Sequence, residues 1–113
     1  MKDGWLQSGD VIDGSGRNSI TATGETLPDE SFTMDFGFPH GGIVGFANSG
    51  PHSSGSQFFI TLGPCKWMNH QFVGIGRVIQ GYNVVRALNT VPTSNQKPIK
   101  NIIIAECRIA DDL

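Results

Sequence analysis

GFANSGPHSSGSQFFITL, residues Gly45 to Leu62, joins an Ala-Asn pair, a small polar loop and the start of a Gln-Phe-Phe strand in one short segment. Alternation along an extended chain puts Gln57, Phe59 and Thr61 on one face and Phe58, Ile60 and Leu62 on the other. If the aliphatic set faces the core, Gln57 and Phe59 share the opposite face. An aromatic ring beside an amide donor and acceptor then suggests a peptide-binding surface. The competing reading is a core strand with an incidental Phe, because short apolar runs do not by themselves reveal which face is buried.

Outward from this strand, the punctuation of the chain points to a mainly β protein. Fifteen glycines and six prolines divide 113 residues into short pieces, which favours strands joined by irregular loops over a helical bundle. Strands are expected at Trp5–Gln7, Ile43–Ala47, Gln57–Leu62 and Phe72–Ile79, each bounded by Gly, Ser, Asn or Pro. A closing strand is expected over Asn101–Ile109. There Ile103, Ala105, Cys107 and Ile109 alternate with Glu106 and Arg108 in the pattern of a half-buried antiparallel strand. One helix is expected at Tyr82–Asn89, where Val84, Val85 and Leu88 are helically spaced between Gly81 and Pro92. The Gly, Ser and Thr-rich stretch from Asp10 to Ser31 reads as a long surface loop, a kind of segment that tends to be functional in compact domains.

The length fits a single domain, residues 1–113, able to bury ~65% of its unfolded surface. A hydrophobic content of 38% with seven Phe and two Trp argues against disorder. The net charge of −2 argues against a general phosphate-binding surface, so nucleic acid is not an expected partner. Apolar runs such as Ile102–Ala105 fall far short of the ~20 residues of a membrane helix, and no charged-then-apolar leader opens the chain. A soluble, cytoplasmic protein is expected. Cys65 follows Pro64 in a loop and reads as an exposed thiol; Cys107 alternates within the expected closing strand and reads as a small buried hydrophobe. No disulfide is expected between them. The three histidines, with Cys65 near His70, do not complete a ligand set at a recognisable spacing, so no metal site and no cofactor are expected.

Several catalytic patterns fail. Gly14-Ser15-Gly16 and Gly74-Ile75-Gly76 do not continue to a third glycine at nucleotide-binding spacing. His52 beside Ser53 and Ser54 supplies neither a positioned base nor an oxyanion site. Asp29 and Glu30, adjacent in a loop, read as solvated or capping residues.

The fragments taken together resemble the cyclophilin family of peptidyl-prolyl cis-trans isomerases. WLQSGD at Trp5–Asp10 resembles the family's turn ending in Gln-Gly-Gly-Asp, and PDESF at Pro28–Phe32 its Asp-Glu-Asn-Phe. FANSGPHSSGSQFFIT resembles its Met-Ala-Asn-x-Gly-Pro-x-x-Asn-Gly-Ser-Gln-Phe-Phe-Ile-Thr signature. Trp67, GRVIQG at Gly76–Gly81 and the closing strand follow in the family order, and the wording near Trp5 and Val91–Ile99 looks most like a divergent, isomerase-like branch. The resemblance implies a closed antiparallel β-barrel with a capping helix, here lacking the family's opening strands and first helix at its amino terminus. It implies an enzyme that turns X-Pro bonds in protein folding, with Pro-containing peptides and cyclosporin-type ligands as partners. The oligomeric state stays open.

The physics of that reaction sets the residues needed. Twisting an X-Pro amide breaks its C–N resonance against a barrier of ~18–20 kcal/mol. A hydrogen-bond donor aimed at the prolyl nitrogen stabilises the twisted state over both planar ones. By resemblance, Phe59 is the floor of the proline pocket and Met68 an apolar wall beside Trp67. Ala47 and Asn48 are the backbone-contacting pair of the groove. Gln57 and Gln7 are the amides that hold the substrate carbonyl and support the donor. Trp67 is either the edge tryptophan of cyclosporin-type binding or a half-buried aromatic. The chain departs from the family in three places. The donor Arg falls two residues before Met1, Gly4 and Trp5 stand at the positions of the turn's pocket residues, and Phe72 stands where the family has a pocket His. A pocket more apolar than usual, partly filled by Trp5, is expected, together with weak catalysis. The alternative is a non-catalytic module that binds Pro-containing segments.

Overall fold

The computed structural model describes residues 4–10, 12, 41–48, 55–94 and 97–110. Strand β1 (Trp5–Ser8), β2 (Ile43–Phe46), β3 (Phe58–Thr61) and β4 (Gly74–Arg77) form one sheet in the order β1-β3-β2-β4, with every neighbouring pair antiparallel. All four expected strands are present, β1 one residue longer than expected and the other three shorter. A two-residue pair, β5 (Thr93–Ser94) with β6 (Lys97–Pro98), lies outside that sheet. Helix α1 spans Tyr82–Leu88 after Gly81, whose left-handed backbone (φ 78°) turns the chain into it. Its inner stripe is the buried Val85 with the half-buried Tyr82 and Leu88, while Val84 is exposed.

The register of the sheet decides what shares a face. Gln7 and Gly45 both lie directly opposite Phe59, one on each side of it, and Trp5 lies opposite Thr61. Directly paired residues point to the same side of a sheet. Trp5, Gln7, Phe59, Thr61, Ile43 and Gly45 therefore form one surface.

That surface is the core, so the condition under which Gln57 and Phe59 would lie opposite it, an inward Phe58, Ile60 and Leu62, is not met. Gln57, Phe59 and Thr61 are buried, whereas Phe58, Ile60 and Leu62 are only half-buried. The cause lies outside the strand. A 3₁₀ turn at Lys66–Met68 folds Cys65 and Met68 over the Phe59 face, and these join Ile43 and Phe59 in a cluster against which Trp5, Ala47 and Phe72 pack. Thr61 is tolerated there because its Oγ1 accepts the Ile43 N–H at 2.9 Å.

Two glycines make this packing possible. A Cβ on Gly45 would stand 2.7 Å from Phe59 Cζ, so only hydrogen there lets the ring lie flat across β2. Gly9, at φ 107°, carries the end of β1 so close to the next segment that a Cβ would collide with the Ser56 carbonyl oxygen.

Two further expectations are corrected. Among the described residues the sheet is open, with β1 and β4 as its edges, and not a closed barrel. Closure needs strands that bridge the two edges. The expected closing strand, Asn101–Ile109, makes no ladder, and residues 101–110 are exposed, including Ile103 and Ile109. Alternation states which side a strand would bury; it does not supply the partner that makes a strand. The thiols are also exchanged. Cys65 is buried beneath the turn that carries Met68, and Cys107 is exposed with the unpaired segment around it. The expected Asp10–Ser31 loop, the Pro28–Phe32 motif and His52–Ser54 lie, apart from Asp10 and Ile12, outside the described residues.

Candidate proline-peptide groove

The nine residues singled out in the sequence converge. At the base, Phe59 and Met68 are 2% and 1% exposed. Phe72, brought over by the chain that leads from the 3₁₀ turn into β4, meets Phe59 edge-on with ring centroids 5.4 Å apart. Trp67 meets Phe72 edge-on at 6.2 Å and Trp5 at 5.6 Å with an interplanar angle of 60°. Edge-to-face and tilted contacts at these separations are the favoured aromatic geometries. The result is a continuous aromatic wall that rises from the buried Phe59 to Trp67. The latter is 53% exposed.

Beside the wall runs a directional chain of hydrogen bonds. The Trp5 indole can only donate, and its Nε1–H donates to Gln7 Oε1 at 3.2 Å. This turns the Gln7 amide nitrogen towards Gln57, to whose Oε1 it donates at 2.8 Å. Trp5 thereby orients both carboxamides, a function in addition to the pocket-filling expected of it. Gln57 is 7% exposed, so this bond satisfies an oxygen that burial would otherwise penalise.

The Ala-Asn pair closes the other side. Ala47 packs on the core cluster, and its N–H donates to the Gln57 carbonyl at 3.0 Å, so the main-chain group it can offer a peptide is its C=O. Asn48 Nδ2 donates to the Gln71 carbonyl at 3.2 Å and ties the start of that loop to the segment leading into β4. Of the residues that shape this region, Cys65 and Gly45 were not recognisable as such in the sequence. Cys65 approaches the Gly4 carbonyl through Sγ at 3.8 Å, and burial pushes its thiol pKa up from the ordinary value. No charged side chain belongs to the nine, so the region offers apolar surface, amides and main-chain groups rather than a titrating acid or base. Among the described residues, no three His, Cys, Asp or Glu side chains gather as a metal site would require. No described helix is long and apolar enough to cross a membrane.

An antiparallel sheet whose one face carries an aromatic wall, two linked carboxamides and an Ala-Asn edge is the arrangement in which the chain meets the cyclophilin class. The family model described as "Cyclophilin type peptidyl-prolyl cis-trans isomerase/CLD" matches residues 1–109, and the chain belongs to that family. It is 41% identical over 113 residues to a human protein named "probable inactive peptidyl-prolyl cis-trans isomerase-like 6", a match covering 98% of this chain and 33% of the relative. It is 42% identical over 102 residues to the Arabidopsis thaliana peptidyl-prolyl cis-trans isomerase CYP21-1 (89% of this chain, 45% of the relative). With the Dictyostelium discoideum peptidyl-prolyl cis-trans isomerase cypE the identity is 41% over 104 residues (92% and 65%). The chain spans about a third of the length of the isomerase-like 6 relatives.

Proposed function

We propose that the groove formed by Phe59, Met68, Phe72, Trp67 and Trp5 receives the proline ring of an X-Pro segment, while Gln57, Ala47 and Asn48 hold the flanking peptide. The chain is then a peptidyl-prolyl cis-trans isomerase of low intrinsic activity that acts on protein substrates, in a cytoplasmic setting that suits its two free thiols. The observation that carries this reading is the Trp5–Gln7–Gln57 relay laid against the aromatic wall. It provides oriented amides next to an apolar surface, which is what gripping one side of a rotating bond requires. Trp67 offers an exposed indole edge to cyclosporin-type ligands as well. Low activity follows from the lining: none of the nine residues carries a cationic side chain to donate to the developing lone pair, and a missing donor of that kind costs ~3–4 kcal/mol, or a factor of ~10²–10³ in rate. NMR exchange measurements on an X-Pro peptide, comparing this chain with one extended upstream to supply the Arg, test it. A short chain as active as the extended one overturns the account of the donor.

The exposed Trp67 favours a second reading, a module that binds Pro-containing segments without turning them. It predicts shifts at Phe59 and Trp67 on peptide addition with no exchange enhancement in either chain. Trp67→Ala should weaken binding by about ten-fold on either reading, as expected for an aromatic anchor.

A further inference from the structure

A second concavity lies at the other end of the same sheet, where the start of β2 meets the end of β4 and the first turn of α1. It encloses about 370 Å³ and is lined by Gly42, Ile43, Arg77, Val78, Ile79 and Tyr82. None of the nine groove residues borders it. Its walls are branched aliphatics and the tyrosine ring, with Ile79 60% exposed. The one formal charge in the lining is Arg77, opposite Ile43 in the β2–β4 register. Among the described residues no carboxylate pairs with its guanidinium. The second polar group of the lining, the Tyr82 hydroxyl, is buried and has no hydrogen-bond partner among the described residues. Buried polar groups are nearly always satisfied, and one that is not marks a place where a partner belongs. A cleft of this volume with apolar walls and a few polar groups is typical of small-ligand sites.

We propose that this cleft binds a small aliphatic carboxylate, its anionic head on the Arg77 guanidinium and its branched chain against Ile43, Val78 and Ile79. A carboxylate matches the guanidinium fork in a bidentate, charge-assisted geometry. The apolar walls select an aliphatic acid over a hydrophilic anion. The proposal is independent of the isomerase reading, since neither Arg77 nor Tyr82 enters the groove.

The test is a solution NMR titration of the whole 113-residue chain with 4-methylpentanoate and, separately, with its uncharged amide. Tyr82 is the only tyrosine, so its ring signals report on the cleft without overlap, and the methyl groups of Ile43 and Ile79 provide a second readout. Saturable shifts at these three residues are expected in the millimolar range suited to so small a ligand. The amide should bind at least ten-fold more weakly. Arg77→Gln should lower affinity for the acid by about ten-fold, with Arg77→Lys, which keeps the charge but loses the fork, falling between the two. Equal binding of acid and amide by the unaltered chain overturns the proposal, and that comparison stands even if Arg77→Gln disturbs the fold. So does an unchanged affinity in a folded Arg77→Gln variant, absence of saturable shifts, or shifts confined to Phe59 and Trp67.

Discussion

Adding a single methyl group at Gly45 tests whether the aromatic wall depends on a bare backbone beneath it. The Ala Cβ would lie 2.7 Å from Phe59 Cζ, 3.1 Å from Phe59 Cε1 and 2.9 Å from the Val73 carbonyl oxygen. Carbon atoms prefer separations of ~3.5–4.0 Å, so the ring must retreat by about 0.8 Å. It has little room to do so, being 2% exposed and held edge-on by Phe72. The carbonyl cannot yield cheaply either, because it accepts the Phe46 N–H at 3.1 Å. Overpacking of this kind costs ~1–3 kcal/mol. The stiffer unfolded chain returns ~0.4–1 kcal/mol. A net destabilisation of about 1–2 kcal/mol should lower the melting temperature by about 4–8 °C, measured by thermal denaturation followed by circular dichroism. Because the clash is mainly with the ring tip, a Gly45→Ala, Phe59→Leu double variant should be more stable than the sum of the single effects by ~0.5–1 kcal/mol. A Gly45→Ala protein as stable as the parent, or strictly additive single and double variants, would refute the packing argument.

Three other outcomes follow from individual side chains. Tyr82→Phe removes a buried hydroxyl without a partner and should raise stability by ~1 kcal/mol in urea unfolding; a loss of stability would mean the hydroxyl is bonded after all. A thiol reagent should modify Cys107 rapidly under native conditions and Cys65 only as the chain unfolds, which mass spectrometry after brief labelling would show. Burial raises the folded-state pKa of Cys65, so above its unfolded value, near 9.0, the unfolded chain loses a proton that the folded chain keeps. Stability should therefore be insensitive to this group below that pH and fall as pH rises through it, and Cys65→Val should flatten that part of the curve.

What the amino-acid sequence determines alone is considerable. Turn residues and short apolar runs placed the four sheet strands and the helix, because Gly, Pro, Asn and Ser punctuate a chain through local backbone preferences that need no tertiary partner. The motif order, from WLQSGD to GRVIQG, carried the family, and the nine groove residues chosen through it meet in one region. Contacts between segments were not legible. Alternation in β3 divided its residues into two faces, but which face is covered was decided by the 3₁₀ turn that lays Cys65 and Met68 over Phe59. The same cause exchanged the two thiols: Cys65 is buried because of what folds over it, and Cys107 is exposed because Asn101–Ile109 lacks a paired strand among the described residues. Trp5 looked like a pocket filler in the linear text, and only the register that sets β1 against β3 shows its indole orienting Gln7 and Gln57. Local preferences are properties of a segment. Burial, hydrogen-bond direction and sheet closure are properties of the neighbours it acquires, and those are set by tertiary structure alone.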